Sequence, residues 1–154
     1  MGMILRAAMA TAAFLAALLF AQHVLATTFQ DYDDEGYALL SLDHYLQGGA
    51  LYTEIFSQYG PFYFYAQEAL FRLLQLPVNH DAGRLVTLIW WLLSAVLAGY
   101  FSYRVSSDIV LASAATLACA RLAQVLAYEP GHPQQVILPI LILACCACTS
   151  RGRG

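Results

Sequence analysis

Apolar residues gather into four long runs, with one long polar stretch after the first and short polar breaks between the rest. The first run, residues 7–27, contains no Asp, Glu, Lys or Arg and follows Arg6. About 20 apolar residues are needed to cross a bilayer as a helix. Runs at 7–27, 85–103 and 109–128 meet that length, and the second holds Trp90 and Trp91. The fourth, 136–149, is short for a span, contains Pro139, and leads directly into the polar tail at 151–154. Val24-Leu25-Ala26 resembles a signal cleavage site. The length of the first run and the runs after it favour a retained helix.

Residues 28–83 alternate helix signals with turn signals and hold most of the Tyr and Phe residues. Asp33 or Asp34 suits the cap of a short helix running to about Gln47, stopped by Gly48-Gly49. Leu39, Leu42 and Leu46 recur there at helical spacing. Pro61 suits the first position of a second helix, which Pro77 is expected to end. Its Phe62, Tyr65, Ala66, Ala69, Leu70 and Leu73 keep the same period. Aromatic-rich helices between membrane segments are expected to lie in the interface. The chain thus reads as an all-α polytopic membrane protein, with four transmembrane helices and two interfacial helices in its first outer loop.

Composition agrees, with 60% hydrophobic and 11% charged residues, against about 25% charged in soluble domains. There is no lysine. With the N-terminus cytoplasmic, Arg6, Arg104, Arg151 and Arg153 fall inside, Arg72 and Arg84 outside, and Arg121 within the third span. Segment 28–83 and the loop 129–133 then share the non-cytoplasmic side. Eight acids, Asp31, Asp33, Asp34, Glu35, Asp43, Glu54, Glu68 and Asp81, form a local acidic layer that argues against nucleic acid as a partner. Cys119, Cys145, Cys146 and Cys148 all sit in apolar runs and read as packing residues.

Candidate chemistry lies in three polar places. Asp34 and Glu35 fall at a helix start, where carboxylates are favoured by capping and by the helix dipole. A carboxylate there can equally act as a general base toward a hydroxyl. Gly48-Gly49-Ala50-Leu51-Tyr52-Thr53-Glu54 and Gln58-Tyr59-Gly60-Pro61-Phe62-Tyr63 read as turns, Gly60-Pro61 giving a tight entry to the next helix with room for a ligand to approach. The loop Glu129-Pro130-Gly131-His132-Pro133 offers a histidine that either is solvated or meets a phosphate. Arg84 can pair with a phosphate or snorkel to headgroups. Arg121 needs a partner within the membrane.

Taken in order, a first membrane helix, Asp33-Asp34-Glu35-Gly36-Tyr37, Gly49-Ala50-Leu51-Tyr52 and Gly60-Pro61 resemble the start of the GT-C glycosyltransferases. The likeness is closest to the family-39-like group of protein mannosyltransferases and aminoarabinose transferases, and covers roughly residues 8–135. The resemblance implies inverting transfer of a sugar from a polyprenyl phosphate to an acceptor hydroxyl of a lipid, glycan or protein. It implies a bacterial inner (plasma) membrane enzyme whose acidic loop faces the periplasm, with Asp34 as base and Glu35 as its partner. Arg84, Glu129, His132, Tyr52 and Tyr59 complete the set expected to bind substrate. No cofactor is fixed. A divalent cation stays open, although Gln58 and Tyr59 stand in the neighbourhood of an acid that the family carries before the proline only in some members.

The chemistry is self-consistent, because a lipid phosphate departs as a stable anion and one base suffices, unlike glycoside hydrolysis with two carboxylates. Members of the superfamily are much longer, so residues 1–150 read as the N-terminal transmembrane portion of a GT-C-like module, truncated or frame-shifted. The competing reading is a non-catalytic membrane interaction subunit or a degenerate remnant. A transporter fragment with an acidic mouth is a third.

Overall fold

The computed structural model describes residues 2–28, 35–123, 125 and 130–151. These form six helices: α1 (Met3–Thr27), α2 (Glu35–Leu46), α3 (Pro61–Leu73), α4 (His80–Ser106), α5 (Ile109–Ala123) and α6 (Pro133–Arg151). The all-α expectation holds among the described residues. Two helices, α1 with 25 residues and α4 with 27, are long and apolar enough to cross a membrane. At about 1.5 Å per residue they extend roughly 37 and 40 Å. α5 and α6 are shorter apolar helices, and residues 124 and 126–128 at the expected end of the third run lie outside the described residues. α6 starts three residues before the expected 136 because Pro133, lacking an N–H, is suited to a first turn.

Helices α1, α4 and α5 pack together, and α6 lies along α4. α1 buries Ala13, Ala17, Ala21, Val24 and Leu25, one stripe at three- and four-residue spacing. Ala17 meets Ala95 and Ala120, so small side chains let the backbones approach. Toward the C-terminal end of α1, Ala21, Val24 and Leu25 pack on Trp91 and Ala123. The closest approach is at Gly99, where an added Cβ would stand 2.1 Å from Thr116 Oγ1 and 3.0 Å from the Ala112 carbonyl oxygen. Gly99→Leu is therefore expected to destabilise the bundle by about 1–3 kcal/mol or more through overpacking. A denaturant titration following helicity checks it.

Helices α2 and α3 cover one end of this bundle. Leu42, Tyr63, Phe64 and Phe71 join Ala82 and Val86 of α4 and Val136 of α6 in one apolar cluster. α2 stops one residue before the expected Gln47, with Gly48 in the left-handed region at φ 97°. α3 stops at Leu73, earlier than Pro77 requires, because Gln75 turns left-handed (φ 52°) and Leu76 N–H donates to the Phe71 carbonyl. Glu68 links the two helices, bonded to Arg72 Nε at 2.7 Å and by the Tyr45 hydroxyl at 3.0 Å. Those hydrogen bonds, Arg72 first, hold its carboxyl below the usual value.

Candidate functional site

Helix α4 begins five residues before the apolar run it carries. Asn79 caps it, its Oδ1 accepting from Ala82 N–H at 2.9 Å, and Asp81 sits favourably in the first turn. This extension sets His80 and Arg84, four residues apart, on one helix face. Both meet Glu35, the first residue of α2. Arg84 Nε lies 3.1 and 3.3 Å from the two Glu35 oxygens, and Nη2 lies 2.9 Å from Oε2. Arg84 Nη1 donates to the Leu25 carbonyl at 2.8 Å. His80 Nδ1 is 3.3 Å from Glu35 Oε1. Glu35 is 2% exposed and the Arg84 side chain 15%. One guanidinium thus ties the last turn of α1 to the start of α2, across a buried, bidentate pair.

Replacing Asn79 with Ala is expected to cost about 1 kcal/mol. It should also raise amide exchange in residues 80–84, measured by mass spectrometry.

On the other flank, the loop after α2 folds on itself. Glu54 Oε2 accepts from Ala50 N–H at 2.8 Å, and Tyr52, left-handed at φ 70°, donates its hydroxyl to the Tyr59 carbonyl at 2.9 Å. The Tyr37 hydroxyl donates to the Phe56 carbonyl. The Tyr59 ring packs edge-on against His132, with centroids 5.5 Å apart, and against Tyr63 at 5.7 Å. Gly131 N–H donates to Thr87 Oγ1 at 2.9 Å, anchoring the loop before α6 to α4. Residues 130–133, the described part of the expected 129–133 loop, thus touch the first polar segment through His132 and Tyr59. Between the flanks lies a cavity of about 10 Å³ lined by Glu35, Tyr63, Gln67, Pro130 and Gly131 among others. The Gln67 Oε1 beside it is buried with no hydrogen-bond partner.

Burial pushes the Tyr63 phenol up to about 12 from its ordinary value near 10. The neutral phenol is the form the fold accepts. Stability from this group is full below pH 10 and is lost as pH rises from 10 toward 12. Tyr63→Phe is expected to flatten that alkaline fall in melting midpoint, while leaving neutral-pH behaviour within a few degrees.

Of the residues singled out by sequence, Asp31, Asp33, Asp34 and Glu129 lie outside the described residues. Tyr52, Tyr59 and His132 come together on one flank, and Glu35 with Arg84 forms the other. The Arg84 guanidinium, offered by the sequence to a phosphate or to headgroups, is turned inward onto Glu35. It also edges a cavity of about 300 Å³ shared with Gln22, Leu25, Ala26, Asp81, Leu85 and Leu88. Arg121 finds the Phe20 ring, 5.5 Å from its centroid. His80, Gln67 and Thr87 went unnoticed in sequence, while Tyr63 fell at the end of the 58–63 stretch. Only His80 had a signal, the Asn79 cap followed by His80 and Arg84 at four-residue spacing. Among the described residues no three His, Cys, Asp or Glu side chains gather as a cation site, and Glu35 is committed to Arg84. The residues described do not fit a divalent cation.

No protein-family model, no curated protein and no solved structure matches the chain.

Proposed function

We propose that this chain belongs to a membrane-embedded glycosyltransferase, which transfers a sugar from a polyprenyl phosphate to an acceptor hydroxyl with inversion. The observation carrying the reading is the gathering of two polar flanks, Glu35–Arg84 and Tyr52–Tyr59–His132, at one end of a largely apolar helix bundle. Leu19, Leu111, Leu122, Leu141 and Leu143 are exposed on the sides of that bundle. So much outward apolar surface suits lipid. In this reading α1, α4, α5 and α6 cross the membrane, a bacterial inner membrane, and α2 and α3 lie at its periplasmic face.

In the proposed reaction, the acceptor oxygen attacks the anomeric carbon and its proton passes to the Asp34 carboxylate. The anomeric C–O bond breaks, and its electron pair leaves with the lipid phosphate. Glu35 acts as a positioning residue, because its carboxylate is held by Arg84. Leu25, Leu85 and Leu88 offer an apolar wall to the polyprenyl chain beside the Arg84 edge, and Tyr59 and His132 face the sugar side. The test is sugar transfer by the full-length protein, reconstituted in vesicles with a radiolabelled polyprenyl-phosphate sugar. Label moving to acceptor in wild type but not in Asp34→Asn supports the reading. Equal label in both sinks the base assignment.

The buried Glu35–Arg84 pair also suits a non-catalytic membrane subunit, since it is a structural tie in its own right. That alternative expects co-purification with a larger membrane partner, unaffected by Asp34→Asn.

A further inference from the structure

At the end of the bundle away from Glu35, α4 and α5 stay in close contact through Gly99 and Thr116. An open groove of about 590 Å³ runs between the first half of α1, the last half of α4 and the first half of α5. Its walls include Ala10, Phe14, Val96, Tyr100, Tyr103 and Ser113. Small residues make it: Ala13, Gly99 and Ala112 leave its floor without bulk. The stretch from Val96 to Tyr103 spans roughly 10 Å of helix axis, and the volume falls in the usual range of ligand pockets. The Ser113 Oγ in its wall is buried with no hydrogen-bond partner.

The rim is cationic. Arg104 Nη1 donates to the Tyr100 hydroxyl at 3.0 Å, which holds its guanidinium 5.7 Å from that ring's centroid. Arg6 lines an adjoining cavity of about 340 Å³ with Ser107, Asp108, Ile109 and Val110, and Ile109 is a wall common to both. Asp108 is the acid at this rim, and its Oδ1 accepts from Val110 N–H at 2.7 Å. Among the described residues, two arginines against one aspartate leave net positive charge beside an apolar floor. Tyr100 and Tyr103 stand at the boundary, where amphipathic rings mark a headgroup level.

We propose that this groove binds one anionic phospholipid, with an acyl chain along Val96 and Phe14 and its phosphate between Arg104 and Arg6. The site is separate from the sugar-transfer site and rests only on the membrane-spanning part of that reading. A zwitterionic lipid of the same chains fills the floor equally but lacks the net charge the rim selects. Two basic residues near a membrane surface give a preference of roughly tenfold or more.

Native mass spectrometry of the full-length protein tests this, after exchange into nanodiscs containing equal phosphatidylglycerol and phosphatidylcholine with identical chains. Wild type is expected to retain one phosphatidylglycerol, about tenfold over phosphatidylcholine. Arg6→Gln with Arg104→Gln should bring that ratio near one. Val96→Trp, or Ser113→Leu should that variant misfold, should lower retention of both lipids several-fold. Circular dichroism in the same nanodiscs establishes that each variant is folded. Equal retention of the two lipids by wild type, an unchanged ratio in the arginine variant, or unchanged retention in a filled groove overturns the proposal. A dimer that dissociates when the groove is filled also overturns it, assigning the groove to a second copy. None of these readouts uses sugar transfer, so its failure leaves the two outcomes distinct.

Discussion

Arg84→Leu is expected to destabilise the protein by about 3–5 kcal/mol, the cost of stranding a buried charge. Glu35 is almost wholly buried, and Arg84 gives it three nitrogen–oxygen contacts within 3.3 Å. Without the guanidinium, only His80, itself largely exposed, remains beside the carboxylate among the contacts described. The Leu25 carbonyl also loses its donor, so the end of α1 and the start of α2 are released together. Glu35→Gln in the wild-type background should cost less, because an amide oxygen still accepts from Arg84. Combining Glu35→Leu with Arg84→Leu should recover much of the loss, since apolar replacement of a buried pair is often neutral. Arg84→Lys should rescue only partly, because a point charge cannot bond Glu35 in bidentate fashion and reach Leu25 as well. Reversible unfolding in mixed micelles, with coupling taken from the double-mutant cycle, measures all four. A single Arg84→Leu loss under about 0.5 kcal/mol would show the pair to be no more than a surface contact.

That clamp was only half legible in sequence. Glu35 stood out because four acids crowd residues 31–35, and Arg84 because it heads an apolar run. Hydropathy placed the run's start at Leu85 and so left Arg84 just outside a helix. The Asn79 cap overrides hydropathy there, carrying α4 back through His80 and turning Arg84 inward. The end of α3 shows the same limit. Pro77 signals a stop, but a left-handed Gln75 stops the helix first, and nothing in a glutamine announces that conformation. Apolar runs and glycine turns, by contrast, could be read directly, because burial period and φ freedom are local properties. Contacts such as Tyr59 with His132 join residues 73 apart and depend on how α3 and α6 pack. Sequence offered only the expectation of a shared side, and packing supplied the contact.

Asp34→Asn is expected to lower kcat for sugar transfer by about 10²–10⁴-fold, the usual contribution of a general base. The change is nearly isosteric and keeps an oxygen acceptor, so a helix-capping role survives it with little loss. Loss of activity without loss of stability therefore separates a base from a cap. KM for the lipid-linked donor should change little, because deprotonation of the acceptor belongs to the transition state and not to donor binding. Asp33→Asn serves as the matched control, one residue away with the same charge removed, and should keep activity within about threefold if Asp34 alone is the base. Arg84→Leu provides the opposite pattern, with activity falling in step with the folded fraction because the tie at Glu35 is gone. If Asp33→Asn and Asp34→Asn lower kcat equally, the acidic layer acts as a diffuse field on the donor. The base must then be sought on the flank of Tyr59 and His132.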